Sequence, residues 1–230
     1  MTQVRLVFWD WYARIYDRIW DSPVTNEVNA RIFDALAPRY IAIDLGCGTG
    51  LSSSALTNRG WTVIGVDISA RMLDRALSQG RVTRAIQADA ASSGLAESIA
   101  DLVIVSNLLH IHQDPGAVLA EAYRIAGNMA TIICVWPTER VSFRRVLAAE
   151  LRLRRSPASA LSAAGLRLIV GMLGVLVSAR KRSSSAVGDE VTRWSESHHL
   201  YMRNYGQIMG IQEFVSFSLY AKDGNDDYCS

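Results

Sequence analysis

Between residues 40 and 136 the chain alternates short apolar runs with amphipathic stretches. The apolar runs are YIAIDL (40–45), WTVIGVD (61–67), VTRAIQAD (82–89), DLVIVSN (101–107) and ATIICVW (130–136). YIAIDL is a short apolar run bounded by a turn signal, the look of a buried parallel strand, and the other four read as strands after it. Between them, residues 51–59 followed by Gly60, SARMLDRALSQG (69–80) and DPGAVLAEAYRI (114–125) read as helices, with Ser69 as an N-cap and Gly60 and Gly80 beyond helix ends. Alternation at this spacing predicts an α/β fold: an open, mostly parallel twisted sheet of Rossmann-like type with helices on both faces. A turn before the fifth strand is expected at Gly127–Asn128, where φ can be positive.

The flanks read differently. Residues 3–21 place Val7, Trp11, Ile15, Ile19 and Trp20 near one side of an aromatic-rich helix, and a second helix is expected over 26–36, ended by Pro38. After Pro137 the strand signal stops until EFVSFSLYAK (213–222), with a weaker partner at 199–205; both final strands are expected to be short or irregular. The pattern divides the chain into cap helices (1–39), a core (40–137), a helical insertion after strand five (138–200), and final strands with an acidic tail (201–230).

Composition narrows the setting. Half of the 230 residues are hydrophobic, which argues against disorder. Cys47, Cys134 and Cys229 lie far apart without metal-ligand spacing, which suits a reducing, cytoplasmic compartment. No uninterrupted apolar stretch marks a signal peptide in the first 21 residues. Only Lys181 and Lys222 are lysines, so arginine carries almost all the positive charge, text common in bacterial biosynthetic enzymes.

The densest chemistry is DLGCGTG (44–50). An apolar run ends in Asp44, breaks into Gly46, Gly48 and Gly50, and resumes as a helix. Glycines there remove the Cβ atoms that would block close approach and permit positive φ. Backbone N–H groups and a helix N-terminus would then face one small volume that favours a polar ligand. The dinucleotide fingerprint fails in register, because Leu51 stands where its third glycine belongs, and no Gly-Lys-Ser/Thr marks a P-loop.

AIDLGCGTG resembles the glycine motif of class I S-adenosylmethionine-dependent methyltransferases, in their small-molecule branch, and VIGVDIS, MLDRA, IQADA and DLVIVSNLLHIHQDPGAVLAEAYRI follow in the family's order. The resemblance spans roughly residues 40–136. It implies S-adenosylmethionine as cofactor, with S-adenosylhomocysteine as product, bound by Asp44, Gly46, Cys47, Gly48, Gly50, Asp67, Ile68, Asp89, Ala90 and Asn107. Asp67 would receive the ribose hydroxyls and Asp89 the adenine amine, donors that suit carboxylates. His110 stands where a general base would meet the acceptor, with His112 second; Tyr12 and Tyr16 resemble the segment with which related enzymes close over the cofactor. His198–His199 is too small a group for a metal site, so no metal is expected.

Between Arg140 and Arg182 stand ten basic residues against Glu150 alone, a charge of +9 that leaves −7 on the rest. Within this segment, ALSAAGLRLIVGMLGVLV (160–177) approaches the ~20 residues of a membrane span. Arg167 near its middle would cost roughly 2.5–3.5 kcal/mol on insertion, and a single span would strand the last β-strand on the far side. Three uses stay open: a helix capping the acceptor site, contact with an anionic membrane surface, or a homodimer contact through Gly165, Gly171 and Gly174. Nucleic acid is not the expected partner, because the arginines flank an apolar stretch instead of interleaving with aromatics. The expected activity is methylation of a small metabolite, anionic or lipid-linked. Non-methylating chemistry at the same site, or cofactor binding without turnover in support of a partner, are the alternatives.

Overall fold

The computed structural model describes residues 3–34, 36, 40–138, 143–153, 161, 165, 182–209 and 211–219. Seven strands form one sheet: β1 (Ile41–Leu45), β2 (Thr62–Asp67), β3 (Arg84–Gln87), β4 (Ala100–Ser106), β5 (Ala126–Pro137), β6 (Tyr201–Ile208) and β7 (Gln212–Ser218). Their order is β3-β2-β1-β4-β5-β7-β6, with β1 to β5 parallel and β7 antiparallel between β5 and β6. The helices are α1 (Gln3–Trp20), α2 (Pro23–Phe33), α3 (Ser54–Thr57), α4 (Ala70–Ser78), α5 (Pro115–Ile125), α6 (Phe143–Leu153) and α7 (Ser184–Ser197).

Strand alternation sends side chains to two cores. Ala42, Val63, Leu102, Ile104 and Ile133 pack with Val28, Ile32 and Phe33 of α2, Leu56 of α3 and Ala76 of α4. Ile43, Leu45, Val103, Val105 and Ile132 face the other side, against Val118, Leu119 and Ala122 of α5 and Val187, Val191 and Trp194 of α7. Because neighbouring strands run to opposite sides of β1, the crevice between the carboxyl ends of β1 and β4 is where such a sheet takes ligands.

Several expectations change. The second helix starts three residues early, at Pro23, because the Ser22 side chain caps it through the Thr25 amide and proline fits the first turn. It also stops early, with Arg59 bonding the carbonyls of Phe33, Asp34 and Leu36. Residues 51–59 yield only the four-residue α3. Trp11 is 55% exposed, and the inward positions of α1 are Ala13 and Ile19, because polar bonds set the helix rotation.

No turn precedes β5, which begins at Ala126; the positive φ falls at Met129, within the strand, not at Gly127–Asn128. Gly127 is needed for close approach: a Cβ there would meet the carbonyls of Ala100 and Ser98 at 3.1 and 3.2 Å. The last two strands have eight and seven residues, with one register shift between Met202 and Asn204. The apolar stretch 166–177, with Arg154, Arg155 and Arg167, lies outside the described residues. Among the described residues no helix is long and apolar enough to cross a membrane.

Candidate functional site

β1 delivers Asp44 to the sheet's carboxyl edge fully buried, with Oδ2 accepting the Ser53 hydroxyl at 2.6 Å and Oδ1 without a partner. Burial pushes its carboxyl up to about 7; the Ser53 bond opposes this and nearby Asp67 adds to it. At the end of β2, Asp67 bonds the amides of Gly48 (2.9 Å) and Ser69 (2.9 Å). Burial raises Asp67 too, against those amide bonds.

The loop does not leave all its amides open. Gly46 and Cys47 donate to Val66 O at 2.7 and 3.0 Å, and Gly50 donates to Cys47 O at 2.9 Å. A buried backbone satisfies its own polar groups, so the loop is a preformed knot tied to β2. Cys47 turns inward: its Sγ occupies the space a Cβ on Gly65 would need, 2.7 Å away, and burial holds its thiol protonated. Gly48, at φ +54°, has open space where a Cβ would stand, so the loop's accessible edge is there.

Asp89 lies beyond β3. His112 Nε2 and the Ala91 amide, at 3.1 and 3.0 Å, both address its Oδ1. Partial burial opposes ionisation, but these two partners hold the Asp89 carboxyl below its usual range. Ala90 beside it is buried. Ile68 O accepts from Gln87 at 3.1 Å. Asn107, beyond β4, sits at φ +55° with its amide on Val135 O at 2.8 Å. His110 is buried on the same loop, and its carbonyl accepts the Arg182 amide at 3.0 Å.

Sequence reasoning missed how α1 is fastened across this edge. Asp10 accepts from Ser69 at 2.6 Å; Asp17 accepts from Thr49 at 2.6 Å and pairs with Arg75 and Arg81, both at 3.1 Å. Asp21 takes Arg81 at 2.7 Å. The signal was available as acids spaced seven and four apart, Asp10 and Asp17 on α1 and Asp21 just past its end, at the spacing of one helix face. Tyr16 on that helix packs edge-on to Tyr12, 5.3 Å between ring centres. Burial raises the Tyr16 hydroxyl above its ordinary value, helped by Tyr12, Asp67, Asp17 and Asp44. Tyr12 accepts from Trp20 at 2.7 Å and serves the helix itself. His198 is a packing residue, edge-on to Tyr123 with ring centres 4.9 Å apart and Nδ1 2.9 Å from Trp194 O.

The edge therefore gathers the buried Asp44, the partly buried Asp67 and an open glycine. Asp44, with one oxygen lacking a hydrogen bond, and Asp67, bonded to amides but to no cation among the described residues, suit a ligand that carries positive charge alongside hydroxyl donors.

Residues 43–134 match a family model described as a methyltransferase domain. The fold is similar to that of a Methanococcus maripaludis protein assigned as an S-adenosyl-L-methionine-dependent methyltransferase (TM-score 0.68, 15% identity, 93% of this chain and 94% of that one). It is also similar to magnesium protoporphyrin IX methyltransferase from Synechocystis PCC 6803 with bound S-adenosylmethionine (TM-score 0.54, 15% identity, 85% and 77% covered). An 18S rRNA (guanine-N(7))-methyltransferase of Bos taurus is 50% identical over 42 residues, which is 18% of this chain and only 15% of that relative's length.

Proposed function

With a methyltransferase domain of the class I S-adenosylmethionine-dependent family as its core, we propose that this chain methylates a small anionic metabolite of a biosynthetic pathway. The observation that carries the cofactor placement is the buried, partnerless Oδ1 of Asp44 beside the open edge at Gly48. S-adenosylmethionine brings an ammonium and a sulfonium to such a site and supplies an electrophilic methyl group. Asp44 and the Gly46–Gly50 loop would hold its amino-acid end. Asp67 and Ile68 would hold the ribose, and Asp89, Ala90 and Asn107 would border the adenine. Cys47 contributes backbone only.

Displacement at a sulfonium needs alignment and exclusion of water more than acid–base chemistry. Tyr16 and α1 would close the cofactor side. His110 would take a proton from the acceptor where one must leave. The segment 138–200 would cover the acceptor, and the +9 charge of its residues 140–182 supports an anionic one, free or lipid-linked, with Arg144 and Arg152 exposed on α6. Incubation of the purified chain with S-adenosylmethionine and fractionated anionic metabolites should yield S-adenosylhomocysteine and one product heavier by a methylene. Turnover without that mass gain supports the non-methylating alternative.

A second reading of the acceptor has its own observation. A cleft of about 220 Å³ between α7 and the β6–β7 hairpin is lined by Asp189, Glu213, Trp136 and Tyr205. Glu213 is engaged by Trp136, Ser184 and Gln207, while Asp189 is exposed. A carboxylate beside aromatic rings suits a cationic acceptor, and such an acceptor would gain, not lose, when arginines are removed.

A further inference from the structure

We propose that His112 is a positioning residue that fixes the Asp89 carboxylate for adenine recognition, rather than a second catalytic base; this rests on the placement of adenine at Asp89. His112 is held at three points. Its carbonyl accepts Arg182 Nη1 at 2.6 Å, its Nδ1 lies 2.8 Å from Asp114 O and 3.1 Å from Asp114 N, and its Nε2 lies 3.1 Å from Asp89 Oδ1. The side chain is 14% exposed, against 39% for Asp89.

The partners decide where the proton sits. A carboxylate oxygen only accepts, so Nε2 must carry hydrogen to bond it. In the neutral ring Nδ1 then accepts the Asp114 amide, and in the imidazolium it donates to the Asp114 carbonyl. Either way Nε2 stays protonated toward Asp89, so this ring has no free basic nitrogen facing the crevice while the pair is intact. The choice of proton position follows from the partners' chemistry.

The same pairing orients Asp89. His112 and the Ala91 amide both bond Oδ1, and Oδ2 takes no bond among the described residues. One oxygen is anchored and the other, on a side chain 39% exposed, is left for a single N–H donor such as the exocyclic amine of adenine. A hypoxanthine base puts a carbonyl oxygen in that place, and two acceptors would then face each other. His112 is thereby a determinant of base specificity, acting through Asp89.

The test compares binding of S-adenosylhomocysteine and S-inosylhomocysteine by calorimetry. Wild type should favour the adenine form by about tenfold or more, the worth of a hydrogen bond to a charged group. His112→Ala should cut that ratio to about threefold or less, with the loss falling on the adenine form. His112→Gln, which keeps a donor near the Nε2 position, should restore most of it. Equal weakening of both ligands in His112→Ala, or an unchanged ratio while Asp89→Ala abolishes it, overturns the role of His112 and leaves the cofactor site standing. No preference in wild type, or none lost in Asp89→Ala, overturns the adenine placement and this inference with it.

Discussion

Asp17 of α1 and Thr49 of the glycine loop are joined by a 2.6 Å hydrogen bond across 32 positions of sequence. The same carboxylate pairs with Arg75 and Arg81, and Arg81 also bonds Thr49 O at 3.1 Å. One acid thus ties the first helix to both the loop and α4. The side chains of Asp17 and Arg81 are 12% and 10% exposed, so this is a shielded cluster whose parts depend on one another.

Removing Asp17 leaves a nearly buried guanidinium with Asp21 as its remaining acid. Asp17→Ala is expected to cost roughly 3 kcal/mol, in the range for breaking a buried pair, and to expose α1 to protease before the sheet unfolds. Arg75→Ala, at a partly exposed position, should cost far less. Equal stability of the two variants in urea would refute the clasp.

Gly48 and Gly50 separate binding from folding. Both have positive φ, but a Cβ on Gly48 meets nothing, whereas one on Gly50 meets Arg81 Cβ at 2.9 Å and Ala76 Cβ at 3.3 Å. Gly50→Ala should lose roughly 2–5 kcal/mol from strain plus overpacking. Gly48→Ala should lose only about 1–2 kcal/mol yet weaken S-adenosylmethionine about tenfold or more. If calorimetry finds full affinity in a folded Gly48→Ala protein, the cofactor does not approach the loop at Gly48.

Asp44 makes stability depend on pH in an unusual direction for an acid. Its folded value, about 7, lies above the unfolded value of about 3.9. Below about pH 4 both states hold the proton, and between about 4 and 7 chiefly the folded state does. Its stabilising contribution is therefore present at low pH and lost as pH rises through that window, on the order of 4 kcal/mol in all. Asp44→Asn removes the titration, so the variant should resemble wild type near pH 4 and be more stable by pH 8. Denaturation curves at both pH values with an unchanged gap between the proteins would show that Asp44 ionises without penalty.

Asp67 bears on ligand choice. Asp67→Ala should weaken S-adenosylmethionine by about 1.5–3 kcal/mol through lost bonds to a charged group, and NAD should not compete in wild type, since Leu51 breaks the pyrophosphate pattern. Displacement of labelled S-adenosylmethionine by micromolar NAD would contradict that reading.

How legible each element was depends on what fixes it. β1, β2, β4 and most of β5 are buried on both faces, so their apolar runs announced them; Leu102, Val103, Ile104 and Val105 are all fully buried. β6 was only half visible because residues 201–205 are exposed in an edge strand, leaving no alternation to read. The positions of Asp44, Asp67 and Asp89 at or just beyond strand ends were legible from their order in the sequence, but their electrostatic state was not. It depends on burial and on contacts such as Ser53–Asp44, between residues on different elements. The contacts of Asp17 and His112 hide for the same reason: their partners are far away in sequence.

The Arg-rich segment carries the boldest expectation. Its +9 charge lies where the acceptor should be covered, with −7 on the remainder. Such separation concentrates an anion near the site and fades with salt over a Debye length of about 10 Å at 0.1 M. Replacing Arg152, Arg154 and Arg155 with serine should raise the acceptor's KM and leave cofactor affinity nearly unchanged. Flotation on anionic but not neutral vesicles, lost in the triple variant, would identify a membrane-surface acceptor. A salt-sensitive KM without flotation would identify a dissolved anion. A KM that falls in the triple variant would favour the cationic acceptor of the Asp189 cleft. If neither KM nor flotation responds, the charge is a solvated helix face, and the acceptor must be sought through His110 and the β6–β7 hairpin instead.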